Sequence, residues 1–156
     1  MTTTIAVNRP VPSFTAASTQ GDITLESLKG RKTVLYFYPK DNTPGCTNQA
    51  QGFRDHHDEF LAAGARIIGV SRDSLKSHEN FTARHALPFA LISDPDESLC
   101  KLFGVIKMKN MYGKQVRGIE RSTFLIDAEG VLRQEWRGLR VPGHVEAVLQ
   151  AVREND

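Results

Sequence analysis

Thiols are scarce in this chain: its 156 residues contain two cysteines, Cys46 and Cys100. Two thiols cannot build the disulfide framework of a small secreted domain, and such sparing use predicts a reducing, cytoplasmic setting. An excess of one charge is missing as well. Lys and Arg number 20 against 18 Asp and Glu, and the basic residues (Arg31-Lys32, Lys107, Lys109, Arg137, Arg140) are scattered. No basic stripe addresses nucleic acid, so the surface reads as a solvated mixture of charges. Long apolar runs are absent too. TVLYFY at 33–38 is far too short to cross a bilayer, which excludes a membrane partner. MTTTIAVNRPVPSFTA has no basic segment leading into an apolar stretch, so no signal peptide is expected. Neither G-x-G-x-x-G nor a Walker pattern occurs, which leaves a nucleotide cofactor without support.

What is present reads as alternating strands and helices. Phe14–Ala16 and Ile23–Leu25 flank a Thr-Gln-Gly-Asp turn and predict a short N-terminal β-hairpin. TVLYFYP (33–39), ARIIGVS (65–71) and FALIS (89–93) are nearly continuous apolar runs, as expected of strands buried on both faces. STFLIDAEGVLRQEW (122–136) predicts two strands joined by the turn 127–130. Between them, Ala50, Phe53, His57, Phe60 and Leu61 share one face of a helix that Gly64 closes. Leu75, His78, Phe81, Thr82 and His85 form a weaker stripe, residues 98–103 a short helix, and Val145, Val148, Leu149 and Val152 a C-terminal one. The order predicts an α/β fold with a central mixed β-sheet flanked by helices. No repeat or linker divides it, so one domain over 1–156 is expected.

Cys46 stands in an unusual place for a sparingly used thiol. It follows Thr43-Pro44-Gly45, where Thr43 is a good helix N-cap and Pro44 suits the first helical position. Cys46 then falls in the first turn, near unpaired N–H groups and the positive end of the helix dipole. That location stabilises a thiolate. Two plainer readings compete: an inert small residue buried under the helix, or a metal ligand. His56, His57, His78, His85 and His144 pair with neither cysteine at zinc-like spacing, and no C-x-x-C is present for a dithiol reductase. No metal or other cofactor is expected.

Pro39-x-x-x-Thr43-x-x-Cys46 resembles the peroxiredoxin signature, and TPGCT resembles its Q-type group, the bacterioferritin comigratory proteins. The resemblance extends through the N-terminal hairpin, FYPKDNTPGCT, ISDPD at 92–96, FGV at 103–105 and RSTFLID at 121–127. It implies a thioredoxin-like fold and a thiol-dependent peroxidase acting on hydrogen peroxide and organic hydroperoxides. In that scheme Cys46 attacks the peroxide and becomes a sulfenic acid. Thr43 offers its hydroxyl to thiolate and peroxide, Arg121 stabilises the growing negative charge, and Pro39 shields the thiolate. Thr43 can equally be a plain N-cap, Arg121 a surface arginine and Pro39 a strand end.

The chain departs from the group in its second thiol. A resolving cysteine five residues after the first is Gln51 here, and ENFTARH on the next helix has none. Cys100 lies beside Leu99, Leu102 and Phe103 and reads as a partly buried structural thiol. The resemblance is therefore to a one-cysteine enzyme regenerated by an outside thiol, such as thioredoxin, glutaredoxin or a small thiol, working as a monomer or weak dimer. A two-cysteine mechanism through Cys100 is the alternative. A cysteine hydrolase using His56, His57 or His144 as base, and a redox-sensing binding module, are the rivals from other classes.

Overall fold

Strand β3 (Lys32–Phe37) is the centre of the molecule, and its composition explains why. Its side chains alternate between two cores: Val34 and Tyr36 pack on one face of the sheet, Leu35 and Phe37 on the other. A strand apolar on both faces must be covered on both. The computed structural model, which describes residues 5–155 apart from the Met111 side chain, provides that cover.

Strand β4 (Ala65–Ser71) runs parallel to β3 on one side, and β5 (Ala90–Ser93) runs parallel to β4. Antiparallel β8 (Ser122–Ile126) lies on the other side of β3, followed by β9 (Leu132–Arg137). The N-terminal hairpin of β1 (Thr15–Ser18) and β2 (Ile23–Thr24) adds to β5, giving seven strands in the order β2-β1-β5-β4-β3-β8-β9. Helix α1 (Leu25–Leu28) and α5 (Ser98–Leu102) cover the Leu35 face. Helices α2 (Pro44–Asp55), α3 (His57–Ala62), α4 (Leu75–His85) and α6 (His144–Glu154) cover the Val34 face.

Three details differ from the sequence reading. The stripe from Ala50 to Leu61 belongs to two helices that meet at His56, whose backbone (φ −103°, ψ 7°) is not helical. Phe53 and Phe60 on either side of the break both reach full burial, while Leu61 is exposed. Leu25, read as the end of a strand, begins α1 after Thr24, which forms a capping box with Ser27. Residues 106–119, left unassigned by periodicity, form a separate hairpin of β6 (Ile106–Met111) and β7 (Lys114–Ile119). Its Tyr112-Gly113 turn has both residues at positive φ (52° and 78°), the tight hairpin geometry. Glu97 ties this hairpin to the body by pairing with Arg117 of β7 and Arg72 after β4.

Candidate active site

The carboxyl end of β3 leads directly into the site. The Tyr38 N–H donates to Val70 O at 3.0 Å, extending the β3–β4 ladder by one residue. Pro39, half-buried, then ends the strand with no N–H to offer. The turn reverses at Asn42, held at φ +66°, a left-handed conformation that Asn tolerates better than most residues. Thr43 takes the extended N-cap conformation (φ −86°, ψ 151°), Pro44 is the first helical residue, and the Thr47 N–H donates to Thr43 O at 2.8 Å. Cys46 is thus the third residue of α2.

One expectation needs refinement here. The Thr43 side chain makes no capping bond to the helix; its hydroxyl donates back to Lys40 O at 2.9 Å. That direction leaves the oxygen's lone pairs as its free valence, so Thr43 is set to accept a hydrogen bond from a neighbour.

Cys46 is 1% exposed, wedged among Tyr36, Tyr38, Ala50 and Phe53 on the helix-covered face. No acidic residue stands in the first turn of α2 to compete with a sulfur anion. Arg121, in the short link between β7 and β8, donates from Nη2 to Cys46 Sγ at 3.3 Å and from Nη1 to Gln49 Oε1 at 2.6 Å. Gln49 follows Cys46 by three residues, so it shares the thiol's helix face, and it is fully buried. Gly45 leaves room for the guanidinium, since a Cβ there would sit 3.2 Å from Arg121 Nη2.

Sequence reasoning missed Gln49 and Gly45. The i, i+3 spacing from Cys46 was available as a signal for Gln49; what that side chain holds was not. A second cation, Lys109, lies at the rim and donates from Nζ to Ile119 O at 2.5 Å. Burial and the charge of Arg121 lower its pKa, opposed by Glu120 and Cys46. Tyr36 is fully buried with no hydrogen-bond partner for its hydroxyl. Burial, then the charges of Cys46 and Asp41, push this phenol well above its ordinary range, so it remains protonated.

Cys100 is on the other face of the sheet, packed with Leu99, Phe103 and Phe124. It is completely buried, not partly as the sequence suggested. Its N–H donates to Asp94 Oδ2 at 2.8 Å, and burial, then the Asp94 hydrogen bond, hold the thiol far above its ordinary pKa. Such a group is a poor nucleophile. The five histidines also stand apart from Cys46. His56 pairs with Glu59, His57 packs on Phe89, His78 meets Asp41, His85 meets Gln51, and His144 meets Thr123. A hydrolase base next to the thiol is therefore missing among the described residues.

A thiol in the first turn of a helix, set on a mixed sheet and gripped by a guanidinium, defines a thiol-redox site with no nearby partner thiol. The comparisons with known proteins agree with that class. The AhpC/TSA family model matches residues 7–135, and the chain belongs to that family. It is 57% identical over 130 residues to Peroxiredoxin Bcp of Xanthomonas campestris pv. campestris, covering 83% of this chain and 81% of that protein. A Xylella fastidiosa PrxQ mutant superposes with a TM-score of 0.90 at 40% identity, covering 96% of both chains. A structure from work on the alkyl peroxide reduction activity of the X. campestris bacterioferritin comigratory protein gives a TM-score of 0.86 at 52% identity, covering 90% of each. The fold is thioredoxin-like, and the chain is a thiol-dependent peroxidase of the peroxiredoxin class.

Proposed function

We propose that this chain reduces hydroperoxides by a one-cysteine cycle at Cys46, with Thr43, Arg121 and Pro39 completing the site. The observation that carries the reading is the 3.3 Å contact from Arg121 Nη2 to Cys46 Sγ. A guanidinium fork beside sulfur favours the thiolate and can also meet the oxygen that becomes negative as an O–O bond breaks.

In the first step the thiolate attacks the terminal peroxide oxygen. An S–O bond forms, the O–O bond breaks, and the peroxide's own proton passes to the departing alkoxide, which leaves as alcohol or water. Thr43, with its hydroxyl proton committed to Lys40 O, accepts the peroxide O–H and aims it. Pro39 covers one side of the thiolate and gives water no N–H to bind. Cys46 is left as a sulfenate, which takes a proton from solvent to become the sulfenic acid. One external thiol displaces water to form a mixed disulfide, and a second thiol restores Cys46 and leaves as the disulfide.

Thioredoxin, glutaredoxin or a small thiol fits the reductant's part, because Cys100 is buried, protonated and on the opposite sheet face. The alkyl peroxide reduction activity of the X. campestris relative supports organic hydroperoxides as substrates beside hydrogen peroxide. Sparse cysteine and balanced charge support cytoplasmic action by one domain over 1–156, as a monomer or weak dimer and without nucleic acid. Among the described residues no helix is long and apolar enough to cross a membrane. The test is intact-mass measurement after one equivalent of peroxide, with and without a sulfenic-acid trap. We expect one added oxygen, captured by the trap at Cys46; a Cys46 that stays unmodified while peroxide is consumed overturns the reading.

A further inference from the structure

Behind the 38–43 turn lies a largely buried polar cluster that the chemistry above does not use. His78 of α4 has no exposed surface. Its Nδ1 lies 2.7 Å from Asp41 Oδ2, and its Nε2 lies 2.9 Å from Ile92 O of β5. A backbone carbonyl has no proton to give, so Nε2 carries one. The Asp41 carboxylate already accepts from the Tyr38 hydroxyl at 2.6 Å and the Ser77 hydroxyl at 2.8 Å. An acceptor so occupied is ionised, so Nδ1 carries a proton as well, and the ring is an imidazolium. Hydrogen bonds from His78, Tyr38 and Ser77 outweigh burial and hold the Asp41 carboxyl below its ordinary range, in agreement with that assignment.

Every element packed around the ring has a part in the cluster. The turn after β3 contributes Asp41 and Tyr38, and the end of β4 contributes Ser71 and Asp73. Helix α4 adds Ser77, and β5 adds the Ile92 carbonyl. The charged groups facing His78 are Asp41 and Asp73, whose donor atoms lie within 4.8 Å of the ring's and of each other. Asp73 Oδ2 accepts from the Asp41 N–H at 2.9 Å and the Ser71 hydroxyl at 2.5 Å. Two carboxylates and an imidazole in such an arrangement could hold a metal ion. Here the groups are already drawn together by the hydrogen bonds of the cluster.

We propose that His78 is a positioning residue for the Cys46 reaction: its imidazolium clamps Asp41 and so holds the 38–43 turn, with Thr43 and the first turn of α2, in the reactive shape. The turn benefits from such an anchor. Asn42 sits in the left-handed region between Asp41 and Thr43, which Asn tolerates better than most residues but still adopts at some cost, so its neighbours help to hold it. Within 39–43, the Asp41 carboxylate is the side-chain group tied to the buried cluster. Losing its clamp lets Asn42 relax and carries the Thr43 hydroxyl away from Lys40 O and from the line of attack. The proposal rests on Cys46 being the reacting thiol.

Two substitutions divide the clamp. In H78N the amide nitrogen occupies the place of Nδ1 and keeps the Asp41 contact; in H78Q it reaches the place of Nε2 and keeps only Ile92. Stopped-flow oxidation by hydrogen peroxide, read from Trp136 fluorescence, should be slowed about tenfold or more in H78Q, as for a modest misplacement of reacting groups, and much less in H78N. Amide exchange should quicken in H78Q at 39–47 while the strands stay protected. Equal rates for the two variants and parent, or exchange loosened throughout, overturn the proposal. Should neither variant fold, nitrogen-15 spectra of the parent's histidines decide it: two protonated ring nitrogens at neutral pH support the clamp, and a single-tautomer neutral ring refutes it. A Cys46→Ser control separates the two levels. Peroxide consumption surviving there removes the underlying reading, whereas consumption lost there with unaffected His78 variants removes only the clamp.

Discussion

At the scale of single residues, the proposed reaction rests on two groups that meet across 75 positions of sequence: a thiol at the start of α2 and a guanidinium between β7 and β8. Cys46→Ser should abolish peroxide consumption and leave the fold intact, because a serine hydroxyl stays protonated at neutral pH. Activity surviving in that variant, measured as peroxide loss with a thiol reductant, moves the chemistry to Cys100. Arg121→Lys keeps the charge but not the fork, since one ammonium cannot hold Sγ and Gln49 Oε1 at once. It should lose about 2–4 kcal/mol of transition-state stabilisation, as expected for an oxyanion-type donor. A lysine variant within about twofold of the parent rate would assign Arg121 to structure alone. Gln49→Leu is subtler. It removes the brace on Nη1 and its own buried, unpartnered Nε2, so stability should hold while the peroxide rate drops. Of these groups, Cys46 and Arg121 could be named from the sequence by their resemblance to a known signature, and the structure brings those two together. Gln49 could not, since a glutamine on a helix shows its purpose only once Arg121 has folded back over it.

At the scale of elements, legibility followed burial. Strands β3, β4 and β5 are largely apolar on both faces and announced themselves as nearly continuous runs. The β6–β7 hairpin, written KMKNMYGKQVRGI with mostly exposed side chains, has no such run. Only its base, Ile106 and Ile119, packs into the core, and the rest is held to the body by ion pairs through Glu97, which leaves no apolar period to read. The α2–α3 break was hidden for the opposite reason, because the apolar stripe runs straight through it. Helix α6 offers a test of how its first turn is seated. His144 is its first residue, buried against Trp136 and Phe53, with Nε2 2.8 Å from Thr123 Oγ1. Burial, then the charge of Arg121, push its pKa down to about 4 from the usual 6.5. A folded pKa below the unfolded one means that the unfolded chain takes up the proton first. Stability is therefore full above about 6.5 and is lost as pH falls toward 4, by on the order of 2 kcal/mol. Urea midpoints between pH 7 and 5 should fall in the parent and stay flatter in His144→Gln. Parallel slopes for the two proteins would show that this ring is not the group responsible.

At the scale of the whole molecule, the sheet keeps the two thiols apart. Alternation along β3 sends Tyr36 toward Cys46 and Phe37 toward Phe103, next to Cys100, so the cysteines belong to different cores with the strands between them. Strands apolar on both faces predicted cover on both sides of the sheet, but which thiol lay under which face depended on the topology β5-β4-β3-β8, which no local pattern contains. A Cys46–Cys100 disulfide requires the two Cα atoms within about 7 Å and the side chains facing each other. To reach that, the first turn of α2 must unwind and α5 must leave its seat, breaking the bonds from the Leu99 and Cys100 N–H groups to Asp94 and drawing a protonated thiol out of the core. Cys100→Ser should therefore keep near-parental turnover with an added thiol reductant, since the variant leaves Cys46, Arg121 and their face of the sheet untouched. Its hydroxyl can still meet Asp94, so the stability loss should stay near the 1 kcal/mol typical of a small change at a buried polar site, about the centre of measured point variants. Peroxide-treated parent protein, digested without reductant, should contain no 46–100 linked peptide. That peptide in high yield, together with lost turnover in Cys100→Ser, would replace the one-cysteine cycle with a two-cysteine cycle in which the core opens at every turnover.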